Sequence, residues 1–205
     1  MQLFTTIVGA SVLLAPAVMA VGTARVVNNC DTPVYFASVS PGGADNRALL
    51  PVSGYTEVYT KPNAGISIKF SKALNGPVTQ FEFTWAGGMI NYDISNIDGN
   101  PFWADGTSVA PSTPGIAGFP TCQLVDCPAG QQRCDAAYNL PNDVRTMVCP
   151  DSTDLTFTLC TAQAPGASTK REVTSAATSV LESASASAIT ARHNHRVHAR
   201  HILKR

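Results

Sequence analysis

Glu82 and Asp93 are the residues whose spacing most directly implies chemistry. From Gln80 to Trp85, the aromatics Phe81, Phe83 and Trp85 alternate with Gln80, Glu82 and Thr84, the period-two pattern of a strand with one apolar face. The Gly87-Gly88 pair that follows is a tight-turn signal between two alternating runs. A turn centred there pairs Trp85 with Ile90, Phe83 with Tyr92 and Phe81 with Ile94, all on the apolar side, and a slip of one residue would scramble that agreement. The same register sets Thr84 against Asn91 and Glu82 against Asp93 on the other face. Two carboxylates directly across a ladder stand about 5 Å apart and repel. Such a pair is relieved by a raised pKa, by a nearby cation such as Lys69 or Lys72, by a bound ligand, or by splaying into solvent. Asp98, between Ile97 and Gly99, carries by itself only the signal of a turn residue.

Cysteine and histidine supply the other reactive groups. All six cysteines lie between Cys30 and Cys160, downstream of an export-type leader, and their even number reads as three disulfides formed in an oxidising compartment. Cys122, Cys127 and Cys134 lack the paired knuckles of a structural zinc site and have no histidine near them. Fifteen connectivities remain open on spacing alone. The four histidines, His193, His195, His198 and His201, all sit near the C-terminus. They are candidate ligands for Zn²⁺ or Cu²⁺. The preferred reading is a basic tail drawn to anionic polymers or to its own acidic domain, because unstructured His tracts rarely close a coordination sphere. No metal and no cofactor are expected.

The elements that must position these groups are short. Arg25 to Val27, Pro33 to Val39, Thr56 to Tyr59, Gly65 to Phe70 and Leu155 to Leu159 are β-prone runs punctuated by Gly, Pro, Asn and Ser, and no segment reads as a capped helix. The fold class is therefore all-β, a sandwich. Residues 1–20 read as a signal peptide, with an uncharged stretch from Leu3 to Met19 and small residues at Val18 and Ala20 for cleavage. Pro16 and the short apolar length argue against a membrane span, and the last residues lack the apolar tail of a lipid-anchor signal. Residues 21–160 have the composition of one compact domain. Residues 161–205 are a Ser/Ala-rich and then His/Arg-rich tail, too poor in large apolar side chains to order itself, with a dibasic processing site at Lys170 and Arg171. Formal neutrality hides this division: residues 21–169 hold seven Lys/Arg against twelve Asp/Glu, and residues 170–205 hold seven against two. An acidic domain and a basic tail without aromatics argue against a nucleic-acid partner. A soluble, extracellular or wall-associated monomer is expected.

Several of these segments resemble one family. Gly22 to Tyr35, with Asn28, Cys30 and Val34, resembles the first strands of thaumatin-like proteins; Glu82-Phe83-Thr84 is similar to their acidic strand motif; and Tyr92 to Gly99 is similar to their "Y-D-V-S-x-x-D-G" signature. Cys134 to Cys149, with Ala137, Tyr138 and Asp143 inside, and the following gap to Cys160 fit the same pattern. The resemblance runs in blocks over most of residues 22–160. It implies a thaumatin-like β-sandwich with three disulfides that lacks, between Cys127 and Cys134, the second cysteine-rich domain of plant members. This is the form of the short fungal proteins described as yeast-phase-specific or antigenic. It further implies the pairing Cys30–Cys160, Cys122–Cys149 and Cys127–Cys134, and the resistance to heat and proteases that such bridging brings.

The resemblance also implies an acidic cleft. Glu82, Asp93 and Asp98 fall on three of its positions and Asp143 on a fourth, while its arginine has no clear counterpart, Lys69 or Lys72 being nearest. Without that arginine the cleft loses a bidentate fork, and without the second domain it loses a wall. Three functions follow as expectations. The first is a non-catalytic secreted protein of the fungal wall or surface that binds β-glucan or a host molecule through the acidic face. The second is a weak endo-β-1,3-glucanase, with Glu82 as acid and Asp93 or Asp98 as nucleophile or base. The third is a secreted effector, antigen or inhibitor acting on a protein partner.

Overall fold

The alternating runs become strands, and a computed structural model describes them over residues 20–163. The expected signal peptide, apart from Ala20, the expected processing site at Lys170-Arg171 and the four histidines lie outside the described residues. The strands are β1 Thr23–Asn28, β2 Tyr35–Val39, β3 Ala48–Leu49, β4 Tyr55–Val58, β5 Gly65–Ser71, β6 Thr79–Ala86, β7 Met89–Ser95, β8 Thr107–Pro111, β9 Val125–Cys127, β10 Met147–Pro150 and β11 Leu155–Leu159. One 3-10 turn, Thr161–Gln163, is the only helical element among the described residues.

Two sheets form, one of five strands in the order β4-β1-β11-β8-β9 and one of six in the order β10-β7-β6-β5-β2-β3. All neighbours are antiparallel except β1 and β11, which run parallel although they lie at opposite ends of the domain. The all-β sandwich expected from the alternation is what is observed. Ile68, Phe70, Phe81, Ile90, Tyr92 and Ile94 of the six-stranded sheet meet Val26, Val109, Leu155, Phe157 and Leu159 of the five-stranded sheet in one buried core. Phe157 is the keystone of that contact: its ring stacks on Phe70 at 4.9 Å and on Phe81 at 5.4 Å between centroids. Truncating it opens a cavity between two sheets that cannot close up. Phe157→Ala is expected to cost about 3–5 kcal/mol; a change below 1 kcal/mol in chemical denaturation would contradict this packing.

Three bridges fasten the sandwich. Cys30–Cys160 joins the chain just beyond the ends of the parallel pair β1 and β11. Cys122–Cys149 ties the loop before β9 to β10, and Cys127–Cys134 closes the short loop after β9. Tyr92 points its ring into the core but keeps a polar end satisfied, its hydroxyl donating to the carbonyl of Gln123 and accepting from that residue's N–H at 3.1 Å.

Candidate functional site

The β6–β7 hairpin has the register read from the sequence: Trp85 opposes Ile90, Phe83 opposes Tyr92, Phe81 opposes Ile94, and Glu82 opposes Asp93. Since Phe81, Phe83 and Tyr92 fill the core, the period of two sends Gln80, Glu82, Thr84, Asn91, Asp93 and Ser95 to the outer face of the six-stranded sheet. The neighbouring strand β5 adds Ser67 opposite Glu82 and Lys69 opposite Gln80. Loops cover one end of this face, leaving Gln80 and Ser95 buried. The chain after β7 is held there by Tyr138, which exchanges backbone hydrogen bonds with Ile94 and Asn96. The other end stays open as a groove of about 330 Å³ lined by Ser67, Glu82, Thr84, Asn91, Asp93 and Thr146 among others. Gly65 at its rim leaves room that a side chain would fill, its nearest would-be contact being the Thr84 hydroxyl at 3.5 Å.

The facing carboxyls are relieved by a raised pKa rather than by a cation between them. Burial pushes the Asp93 carboxyl up to about 7, and the charge of Glu82 beside it adds to the shift; the Thr146 hydroxyl acts in the opposite direction. Burial raises Glu82 as well, opposed by the hydroxyls of Ser95 and Ser67 and by the charge of Lys69, while Asp98 reinforces the rise. One oxygen of Asp93, Oδ1, is buried with no hydrogen-bond partner. A carboxylate oxygen left in that state is costly, whereas a carboxylic acid can use its proton to bond a neighbour or a ligand. As the pH falls through about 7, Asp93 therefore takes up a proton while Glu82 is still beside it, the behaviour of two acids too close to ionise together.

The other anticipated residues take different places. Asp98 is exposed in the turn after β7 and reaches the group through Gln80, whose Nε2 donates to Asp98 Oδ2 at 3.3 Å. Lys69 lies one strand over from Gln80, and its charge acts on Glu82 and on Asp45. Lys72 is not the intervening cation. It sits past the end of β5, where strand alternation no longer directs it to the outer face, and it pairs with Asp105 above the ring of Phe102. Asp143 does not line the groove; its carboxylate accepts from the backbone N–H groups of Asn139 (2.9 Å) and Leu140 (3.0 Å), which hold its pKa below the ordinary value. Sequence reasoning set Asn91 on this face without giving it a role in the site, and it passed over Ser67 and Thr146. Asn91 and Ser67 follow from the same outward parity as Glu82, but Thr146 enters from a loop before β10 and has no pattern to announce it.

The model of the Bys1 family, described as Blastomyces yeast-phase-specific protein, matches residues 11–161. The chain belongs to the Bys1 family. It is similar to the antigenic thaumatin-like protein of Arthroderma benhamiae, 35% identical over 166 residues that make up 76% of this chain and 82% of that protein. It is also similar to the secreted thaumatin-like protein calA of Emericella nidulans, 34% identical over 170 residues, 78% of this chain and 95% of that one. Among solved structures, the protein elicitor MoHrip2 of Magnaporthe oryzae shares the fold, with a TM-score of 0.54 and 24% identity over 68% of this chain and 98% of its own. These Bys1 relatives are named as secreted or antigenic thaumatin-like proteins and not as enzymes. Among the described residues no helix is long and apolar enough to cross a membrane.

Proposed function

We propose that this Bys1 protein is exported, trimmed after Ala20 and at Lys170-Arg171, and binds β-glucan of the fungal wall or surface through the groove of Glu82 and Asp93 without cleaving it. The carrying observation is the opposed Glu82–Asp93 pair at the floor of an open groove, with Asp93 Oδ1 buried and unpartnered. A sugar hydroxyl both donates and accepts, so a shared-proton pair flanked by the Ser67, Thr84 and Thr146 hydroxyls and the Asn91 amide can satisfy it in either sense. Lys69 and Asp98 set the charge at one side.

The geometry favours binding over hydrolysis. A glycosidase places its two carboxyls on either side of the scissile bond, about 5–5.5 Å or 6.5–9.5 Å apart. Here Glu82 and Asp93 stand side by side on one sheet face and point the same way, so a glycosidic bond laid on the face has both carboxyls beneath it. The raised acid does favour a second reading, a weak endo-β-1,3-glucanase with Glu82 and Asp93 as the acid and its partner.

One experiment separates the two: pull-down and reducing-sugar release on insoluble β-1,3-glucan, wild type beside Glu82→Gln. Binding without sugar release, weakened at least fivefold by Glu82→Gln, is the expected result. Sugar release abolished by Glu82→Gln would make the protein an enzyme. No binding at all would sink the glucan reading and assign the acidic face to a protein partner.

A further inference from the structure

A second hollow opens on the opposite side of the six-stranded sheet, between its inner face and strand β4 of the other sheet. Ile66, Phe83 and Trp85 form its apolar floor, and its rim carries Ser38, Ser40, Glu57 and Lys61. Trp85 belongs by parity to the core side of β6, but it lies where the two sheets part, and its indole stays half-buried. The indole Nε1–H donates to Asp151 Oδ2 at 2.9 Å, which fixes the ring plane. Glu57 is equally fixed, its carboxylate accepting from the Ser38 hydroxyl (3.0 and 3.2 Å) and from the Tyr55 hydroxyl at 2.7 Å. Lys61 donates to the Ser40 hydroxyl at 3.0 Å and forms no salt bridge among the described residues, so its remaining protons are free.

We propose that this hollow is a second saccharide-binding site, distinct from the acidic groove, which takes the edge of a neutral pyranose against Trp85 between Glu57 and Lys61. The volume, about 60 Å³, suits the space of four to six ordered waters, enough for the hydroxyl-bearing edge of one ring with the rest stacked outside. The lining decides the ligand class. A hydrocarbon would leave the Glu57 carboxylate and the Lys61 ammonium facing apolar atoms. An anion would meet Glu57, and a cation would meet Lys61. A neutral polyhydroxyl ring donates to the first, accepts from the second and offers C–H bonds to the indole face.

Ile66 and Phe83 line both hollows, so the two sites sit back to back across a single sheet. One straight glycan strand cannot lie in both; two strands can, and the protein then holds a polymer network with an avidity beyond either site alone.

The choice of a β-1,3-glucan oligomer as probe rests on the function proposed above, while the hollow itself does not. The chain has two tryptophans, and Trp103 lines neither hollow, so Trp103→Phe leaves Trp85 as the sole indole emitter. Titrated with a soluble β-1,3-linked glucose oligomer, the emission of this variant should change saturably. Adding Lys61→Met should weaken that response at least fivefold, and adding Glu82→Gln should move it less than twofold. An unchanged Trp85 emission while calorimetry records binding that Glu82→Gln removes would overturn the second site and leave the groove standing. A response indifferent to Lys61→Met would overturn it too. A Trp85 response sensitive to Lys61→Met, with total binding untouched by Glu82→Gln, would instead keep this site and remove the groove. Neither heat nor emission change would remove both.

Discussion

Asp93→Asn is expected to stabilise the protein at neutral and alkaline pH, the reverse of the usual effect of substituting a half-buried polar residue. The Asp93 carboxyl titrates at about 7 in the folded protein against an ordinary 3.8. The folded state therefore binds this proton more tightly than the unfolded chain, and stability is greatest below pH 4 as far as this group is concerned. It falls as the pH rises from about 4 to about 7, and above that the full cost of ionising Asp93 in place is carried, on the order of 4 kcal/mol. Glu82 is shifted in the same direction and adds to the slope. Asp45, held down by Arg47, works oppositely, contributing stability that is lost only as the pH drops through its lowered pKa. An amide at position 93 removes the ionisation cost. The variant should gain up to about 4 kcal/mol at pH 8, gain almost nothing at pH 4, and show a flatter stability profile between them. Equal effects at both pH values in urea denaturation would mean that the carboxyl is not held protonated by its surroundings.

Removing the Cys30–Cys160 bridge should produce the largest loss. It closes a loop of 130 residues, and in the chain-entropy description a loop of that size restricts the unfolded chain by about 5 kcal/mol. The same description gives about 3.5 kcal/mol for Cys122–Cys149, which spans 27 residues, and about 2.3 for Cys127–Cys134, which spans 7. The bridge also locks the register of β1 against β11, a parallel pair brought together from the two ends of the domain. Since domains of this size have only ~5–15 kcal/mol in total, Cys30→Ser with Cys160→Ser should leave the protein largely unfolded or protease-sensitive at 37 °C, whereas Cys127→Ser with Cys134→Ser should remain folded. Comparable melting temperatures for the two double variants would contradict this ordering.

The site was legible in the sequence wherever a local rule fixed geometry. Two glycines and the ten alternating residues paired across them determined the hairpin, and through it the Glu82–Asp93 opposition, because side-chain parity allows no intermediate register. The strands that carry strong alternation, such as β6 and β11, were visible for the same reason. The short strands β3, β9 and β10 were not: two to four residues hold no periodicity, and the sheets recruit them through long-range pairing. Strand β8 was missed because Thr107–Pro111 ends in a proline and offers only one large apolar residue, Val109, which the core nevertheless needs. The parallel β1–β11 contact has no local signature at all. Lys69 and Lys72 could not be told apart by type; they differ because one lies within β5 and the other just beyond it, free to turn toward Asp105. Asp143 matched a family position, but its surroundings use it to close a turn.

The most direct test of the Glu82–Asp93 pair as a glucan-binding dyad is a carboxyl ¹³C titration of the two residues, with and without a saturating soluble β-1,3-linked glucose oligomer. The expected result is a step near pH 7 assigned to Asp93 that moves when the oligomer is added and disappears in Asp93→Asn. Both carboxyls titrating near 4, or a step near 7 that ignores the bound saccharide, would contradict it.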